Sequence, residues 1–323
     1  MKLNRRMAIA LVVAATAVSG AALAQQRMFF GIATGGTGGT YYPLGGMLAQ
    51  LISNKAVVDG KKISATAEAG GASVANVKLL GNKDIESAFV AADILDAAYN
   101  GKGQFKDGAI KNLRALGALY PETVQLITRA DSGIKSVKDL KGKSISSGSP
   151  GSGQYQLLTD LLQVYGMARS DVKEDLSSFT QAVDKIKDGN LDATLITAGV
   201  PTAAITDFAQ SHALRVIPLA GPEIATLQKQ QPYYANVPLP ANSYKGQTEA
   251  VPTLAVMAVW ATNDGLPDNV AYEVTKALYE NIAIMGQVHV TGKTISLGTA
   301  LAVGTVPIHP GALKYFKEKG IVK

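Results

Sequence analysis

Apolar positions along the chain switch repeatedly between two spacings. Short apolar runs at 29–33, 63–68 and 85–90 predict strands. Each is followed by a segment whose apolar residues recur every three to four positions, at 44–53, 73–80 and 92–99, which predicts helices. Such alternation argues for parallel sheets covered by helices. An extended pattern at 113–120 runs into Pro121-Glu122 and resumes at 124–128, as expected of a strand passing between two lobes. Strands at 143–147, 191–197 and 214–219 then alternate with helices at 154–165, 182–187 and 203–209. The stretch 221–252, rich in Pro, Gln and Tyr, reads as an irregular arm. The most apolar run, 251–261, is bracketed by Pro252 and the Asn263-Asp264-Gly265 turn, and 253–261 reads as the return strand between lobes. A long helix over 269–285 and a last amphipathic helix after His309-Pro310-Gly311 complete the pattern.

The expected architecture is therefore α/β and two-lobed: each lobe a mixed, mostly parallel sheet flanked by helices, joined by two crossover strands. Lobe one takes 25–122 and 255–323, and lobe two takes 123–254. Two crossings imply a hinge and a cleft, and ligands of such sheets sit outside the carboxyl ends of the strands.

The first 24 residues carry a different signal. Lys2, Arg5 and Arg6 precede a short apolar run that ends in Ala22-Leu23-Ala24. This is the layout of an export signal cleaved after Ala24, too short in its apolar part for a stable membrane span. It predicts a periplasmic location, with Sec and Tat export both open. Its removal lowers the formal net charge from +6 to +3, so the basic balance reflects targeting rather than a nucleic-acid surface. The chain has no cysteine, which excludes disulfides, thiolate chemistry and a lipid anchor on cysteine.

Candidate chemistry lies in loops without side-chain charge. The segment 31–46, GIATGGTGGTYYPLGG, follows a strand and precedes a helix. Its glycines, Gly38 among them, let backbone N–H groups approach a ligand, while Thr37, Thr40 and Tyr41 offer hydroxyls. A phosphate loop needs a Gly-Lys-Ser/Thr step, and no Lys is present. The segment 146–156, SSGSPGSGQYQ, repeats the design in the second lobe with Ser149, Ser152 and Gly153. Two further junctions, 69–76 with Ser73 and Asn76, and 197–202 with Pro201 suited to a first helical turn, fit the same pattern. Four charge-free junctions, two per lobe, suit an anion held by backbone dipoles and hydroxyls, as in a small molecule carrying carboxylates.

Catalytic constellations are missing. His212, His289 and His309 lack metal-ligand spacing, and His309 reads as a structural residue at a helix start. Gly151-Ser152-Gly153 is only a fragment of a nucleophile elbow. Arg129 and Asp131 read as a solvated ion pair. No enzyme, cofactor or metal is expected, and the even scatter of charge suits a monomer.

At motif level the chain resembles the TAXI family, the extracytoplasmic solute-binding components of TRAP transporters. The resemblance rests on GTGGTYYPLGG (36–46), GGASVANVKLL (70–80), DSGIKSVKDLKGKSISSGSPGSG (131–153), DGNLDA (188–193) and GVPTAAI (199–205). It continues through PYY (232–234), SYKGQTEAVPT (243–253), AYEVTKALYEN (271–281) and IHPGALKYFKEKG (308–320). It implies a type II periplasmic-binding-protein fold and import driven by an ion gradient. It also implies a small carboxylate ligand, such as a dicarboxylate, glutamate or 2-oxoglutarate, and a TRAP permease of small and large membrane subunits, separate or fused. By the same resemblance Thr37, Thr40, Tyr41, Ser73, Asn76, Ser149, Ser152 and Gln154 are ligand contacts. Ala75 stands where relatives often carry Glu. The alternatives are a binding component of an ABC importer, and a protein presenting its ligand to a sensor.

Overall fold

The computed structural model describes residues 28–322, so the export-signal expectation for 1–24 lies outside the described residues. Lobe one opens with β1 (Met28–Ala33), α1 (Tyr41–Lys55), the short β2 (Val57–Val58) and β3 (Lys61–Glu68). It continues with α2 (Ser73–Asn82), β4 (Ser87–Ala91) and α3 (Ala92–Asn100). The apolar spacing explains the burial: Tyr41, Leu44, Leu48, Leu51 and Ile52 form one inward stripe on α1. β4 (SAFVA) is buried along its whole length, as expected of a strand covered on both faces.

β5 (Leu113–Arg129) leads into β6 (Ser144–Ser146), α4 (Gln154–Val164), β7 (Lys173–Asp175), α5 (Phe179–Lys187) and β8 (Ala193–Ala198). Then come α6 (Ala203–Ser211), β9 (Leu214–Ile217), α7 (Pro222–Gln230) and β10 (Ala235–Leu239). β11 (Val251–Asn263) returns to lobe one, followed by α8 (Asp268–Tyr279), α9 (Ile282–Val288) and α10 (Pro310–Glu318).

The strands run in the order β2-β3-β1-β4-β11-β5-β8-β6-β7, with β10 beside β11 and β9 beside β5. β1 pairs in parallel with β3 and β4, and β6 in parallel with β7 and β8. β5 and β11 are antiparallel partners from Asn263↔Leu113 to Ala255↔Thr123 and carry the sheet from one lobe into the other. Their register shifts between Met257 and Val259 and between Trp260 and Ala261. Such bulges increase local twist, which suits a strand pair that changes sheets. Phe30, Trp260, Tyr315 and Phe316 pack in the lobe-one core, whereas Ile196, Ile205 and Phe208 pack in lobe two. A third cluster spans the join, from Val90 through Val124 to Leu158.

β5 is the crossing strand expected over 113–128, continuous over 17 residues, while two other expectations are corrected. Pro121 is exposed and opposite Met257 beside the bulge, where a missing N–H is tolerated. The arm 221–252 holds α7, which starts with Pro222 in its first turn after Gly221 at φ 101°, and β10, whose Pro238 lies in an edge strand paired with β11 among the described residues. The helix expected over 269–285 divides at Asn281, whose side-chain amide bonds the Ala277 carbonyl at 2.9 Å and competes with the helical ladder.

Candidate functional site

The parallel strands of both lobes aim their carboxyl ends at one cavity of about 230 Å³. This volume is at the small end for ligand sites and suits a small metabolite. Lobe one contributes the β1–α1 loop 35–40 with Tyr41, the β3–α2 turn 70–73, Ala91 and Asp93 at the β4–α3 junction, and Glu122 from β5. Lobe two contributes Ser149 and 152–154 before and at the start of α4, 178–180 at the start of α5, Thr197 and Ala198 ending β8, and Tyr234.

Of the candidates, Thr37, Gly38, Thr40, Tyr41, Ser73, Ser149, Ser152, Gly153 and Gln154 line this cavity. Asn76 and Pro201 do not. Asn76 is fully buried behind the β3–α2 turn, where its amide donates to the carbonyls of Thr34 at 2.9 Å and Phe89 at 2.8 Å. It fastens α2 to β1 and β4. Pro201 is exposed, follows a cis peptide, and its carbonyl lies 2.9 Å from His289 Nε2.

Several candidates also have a partner within the protein. Thr40 Oγ1 accepts the Gly199 N–H at 2.9 Å from the opposite lobe. Ser152 Oγ donates to the Ser147 carbonyl at 3.2 Å, and Ser73 Oγ accepts the Ala91 N–H at 3.0 Å. The glycines serve closeness between lobes as much as closeness to a guest. The N–H groups of Val74 and Ala75 donate to the Gly151 carbonyl at 2.9 and 3.0 Å, and Ala204 N–H donates to the Gly38 carbonyl at 3.2 Å. A Cβ on Gly71 would stand 2.9 Å from Ala75 Cβ and 3.2 Å from the Pro150 carbonyl across the seam.

The largest departure from the sequence reading is electrostatic. Asp93 and Glu122 bring two carboxyl groups to a site expected to be free of side-chain charge, and no Lys, Arg or His lines the cavity among the described residues. Glu122 is 3% exposed and accepts from the Tyr41 hydroxyl at 2.8 Å. Burial pushes its carboxyl up to about 8, with the charge of Asp93 adding to the rise and the Tyr41 hydrogen bond opposing it. Burial also raises Asp93, whose Oδ2 accepts from Tyr234 at 2.7 Å. Burial, reinforced by the neighbouring carboxylate, holds both tyrosines well above their ordinary range, so they act as hydrogen-bond donors. Among the lining residues, Asp93 Oδ1, Gln154 Oε1 and Thr197 Oγ1 are buried atoms without a side-chain hydrogen-bond partner.

Two signals for the missed carboxyls stood in the sequence. Asp93 follows a strand-to-helix junction with no loop at all, and Glu122 is a lone acid inside an apolar strand. His309, by contrast, caps α10 through Nδ1, which accepts from Gly311 N–H at 3.2 Å, as its position before Pro310 suggests. Arg129 and Asp131 form a partly exposed ion pair at 2.8 Å. Among the described residues no cluster of His, Cys, Asp and Glu is arranged to hold a metal, and no helix is long and apolar enough to cross a membrane.

Residues 32–320 match the model of a family described as NMT1-like. Among solved structures, a Bordetella bronchiseptica RB50 protein is similar over 90% of this chain and 82% of its own, at 16% identity and a TM-score of 0.52. A Listeria monocytogenes protein, proposed to be an L-cystine ABC transporter, matches 83% of this chain and 98% of its own, at 13% identity and a TM-score of 0.50. The periplasmic aliphatic sulphonate binding protein SsuA of Escherichia coli covers 90% and 79%, at 15% identity and a TM-score of 0.46. At such identities the likeness is one of fold, that of the two-lobed periplasmic-binding-protein architecture.

Proposed function

Since the chain belongs to the NMT1-like family and folds as two α/β lobes around a shared cavity, we propose that it is an extracytoplasmic solute-binding protein. It captures a small molecule by hinge closure and delivers it to a membrane transporter. The observation that carries this reading is the convergence on that cavity of strand-to-helix loops from opposite lobes, 35–40 and 70–73 from one, Ser149 and 152–154 from the other. Helix-start N–H groups and hydroxyls at such junctions suit a polar guest. Lobe two, 123–254, moves as a unit about β5 and β11, and Thr37, Gly38, Thr40, Tyr41, Ser73, Ser149, Ser152, Gly153 and Gln154 form the contact set.

For the membrane partner, the description of the Listeria protein favours an ABC importer over a TRAP permease. The motif resemblance keeps the TRAP permease as the second reading. Uptake into vesicles holding the cognate permease separates them: the first requires ATP, the second an ion gradient.

A thermal-shift screen of the mature chain tests solute binding itself. The panel holds amino acids, C4–C6 dicarboxylates, sulfonates and phosphonates. A true ligand at 100 times its Kd adds about 2.7 kcal/mol of stability and a rise of several degrees in Tm. No shift with any class, together with no small molecule released on denaturing the purified protein, removes the reading.

A further inference from the structure

We propose that Tyr233, with Tyr234 beside it, is a positioning residue for solute capture: carried on lobe two, it closes on Asp96 of lobe one and latches the lobes together without touching the solute. The inference rests on the solute-binding reading and adds to it the side chains that set how long the lobes stay shut.

The latch is mounted on one lobe. Pro232-Tyr233-Tyr234 runs from α7 into β10. α7 packs Ile224 and Leu227 into the cluster that holds Leu157, Leu158 and Leu161 of α4. Gln228 Nε2 donates to the Tyr234 carbonyl at 3.0 Å, and Gln231 Nε2 to Asp160 Oδ2 of α4 at 3.1 Å. Ala235 then pairs with Ala255. These ties fix both tyrosines to lobe two before they reach the other lobe.

The receiving face belongs to lobe one. Asp93 and Asp96 stand three residues apart on α3, hence on one side of it. Tyr234 donates to Asp93 Oδ2 at 2.7 Å, and the Tyr233 hydroxyl donates to the Asp96 carboxylate. The Tyr233 ring lies against Gly304, where a Cβ would stand 2.9 Å from ring Cε1. Asp96, 2% exposed, is held ready by its own lobe: Thr305 Oγ1 and Asn100 Nδ2 donate to Oδ1, and Lys102 Nζ to Oδ2. Burial pushes its carboxyl up, but the hydroxyls of Thr305 and Tyr233 and the Lys102 ammonium outweigh burial and hold it below the ordinary range. Parting of the lobes therefore takes one donor from Asp96 and leaves three, so no bare buried charge opposes opening. A bond of that kind can be made and broken repeatedly.

Position separates this pair from the guest. Neither Tyr233 nor Asp96 lines the cavity, whereas Tyr234 and Asp93 form part of its wall. A change at Tyr233 thus reaches the solute through the setting of the lobes rather than by contact. That setting has its own reporters, the N–H groups of Val74, Ala75 and Ala204, which donate across the seam. All three lie in the first turn of a helix without a side-chain cap, α2 or α6. They have no acceptor within their own helix and lose protection when the lobes part.

Residue-resolved amide exchange on the mature chain, freed of solute by unfolding and refolding, tests the latch. It is repeated with the tightest-binding amino acid, dicarboxylate, sulfonate or phosphonate of the thermal-shift panel as probe. Tyr233→Phe keeps the ring and removes the hydroxyl, whereas Asp96→Asn removes the charge it meets. Each is expected to speed exchange at Val74, Ala75 and Ala204 about 3- to 10-fold. Amides of β4 and β8, strands paired on both sides, are expected to exchange as in the parent protein. The double variant should add little to either single one. Affinity for the probe should fall by a similar factor, chiefly through faster release. Two variants guard against misfolding of either one. Unchanged seam amides in both folded variants, with and without the probe, overturn the latch and leave solute binding standing, as does an equal rise in β4 and β8. Absence of binding by every panel compound, with no small molecule released on denaturation, overturns solute binding and the inference with it.

Discussion

Tyr41 lines the cavity yet has a role its sequence context hides. Its position in a charge-free glycine loop suggests a donor to a guest, yet its hydroxyl donates 2.8 Å to Glu122. The loop is read locally, whereas the carboxyl arrives from a strand 81 residues away. Asn76 differs in the same way: a polar residue near a helix start looks like a ligand contact until its amide is found tied to Thr34 and Phe89. Glu122 gives the protein a pH signature. Its carboxyl titrates near 4.5 when unfolded and near 8 when folded. Between those values the folded state holds a proton the unfolded chain has lost, so stability falls as pH rises from about 5 to 8. The change is on the order of 3–5 kcal/mol. Urea midpoints of ligand-free protein at pH 5, 6.5 and 8 are expected to decline, and Glu122→Gln is expected to flatten the decline. Tyr234→Phe removes the hydroxyl that reaches Asp93 across the lobes. It is expected to weaken ligand binding by about 1.5–3 kcal/mol by calorimetry, since it strips a charged acceptor of its donor.

Among the elements, those with strong periodicity follow the pattern within a few residues. α2 (Ser73–Asn82) is an example, expected at 73–80. Departures cluster where a local signal competes with packing. Pro121 marks a break by local rules, but pairing with β11 carries β5 straight past it. The segment 222–230 is too rich in Gln to show a strong apolar face, yet Ile224 and Leu227 bury enough to hold α7. The N-terminus of α2 meets Gly151 of the other lobe, and this seam is testable. Gly71→Val places branched carbon where Ala75 and the Pro150 carbonyl already sit. We expect ligand affinity to drop at least about 10-fold, in line with an overpacking cost of about 1–3 kcal/mol. The far-ultraviolet circular dichroism should remain unchanged, because the two atoms met, the Ala75 methyl within lobe one and the Pro150 carbonyl across the seam, take no part in a helix or strand ladder.

For the whole molecule, the two-lobed α/β architecture was legible because strand–helix alternation is a repeated signal that tolerates individual errors. The cavity's charge was not, because it depends on which strand passes beneath which loop. If β5 and β11 act as the hinge, small-angle scattering should show a smaller radius of gyration with ligand than without, and Gly71→Val should keep the larger value in both. The contacts across the seam have one more consequence. Three of them, Val74 and Ala75 to Gly151 and Ala204 to Gly38, run from main-chain amide to main-chain carbonyl. Groups of this kind neither titrate nor exchange with dissolved ions. These three links are thus insulated from salinity and from most drift in side-chain identity, so that part of the clasp can stay the same over evolution while side chains such as Tyr234 and Asp93, which also meet across the cleft, change with the guest.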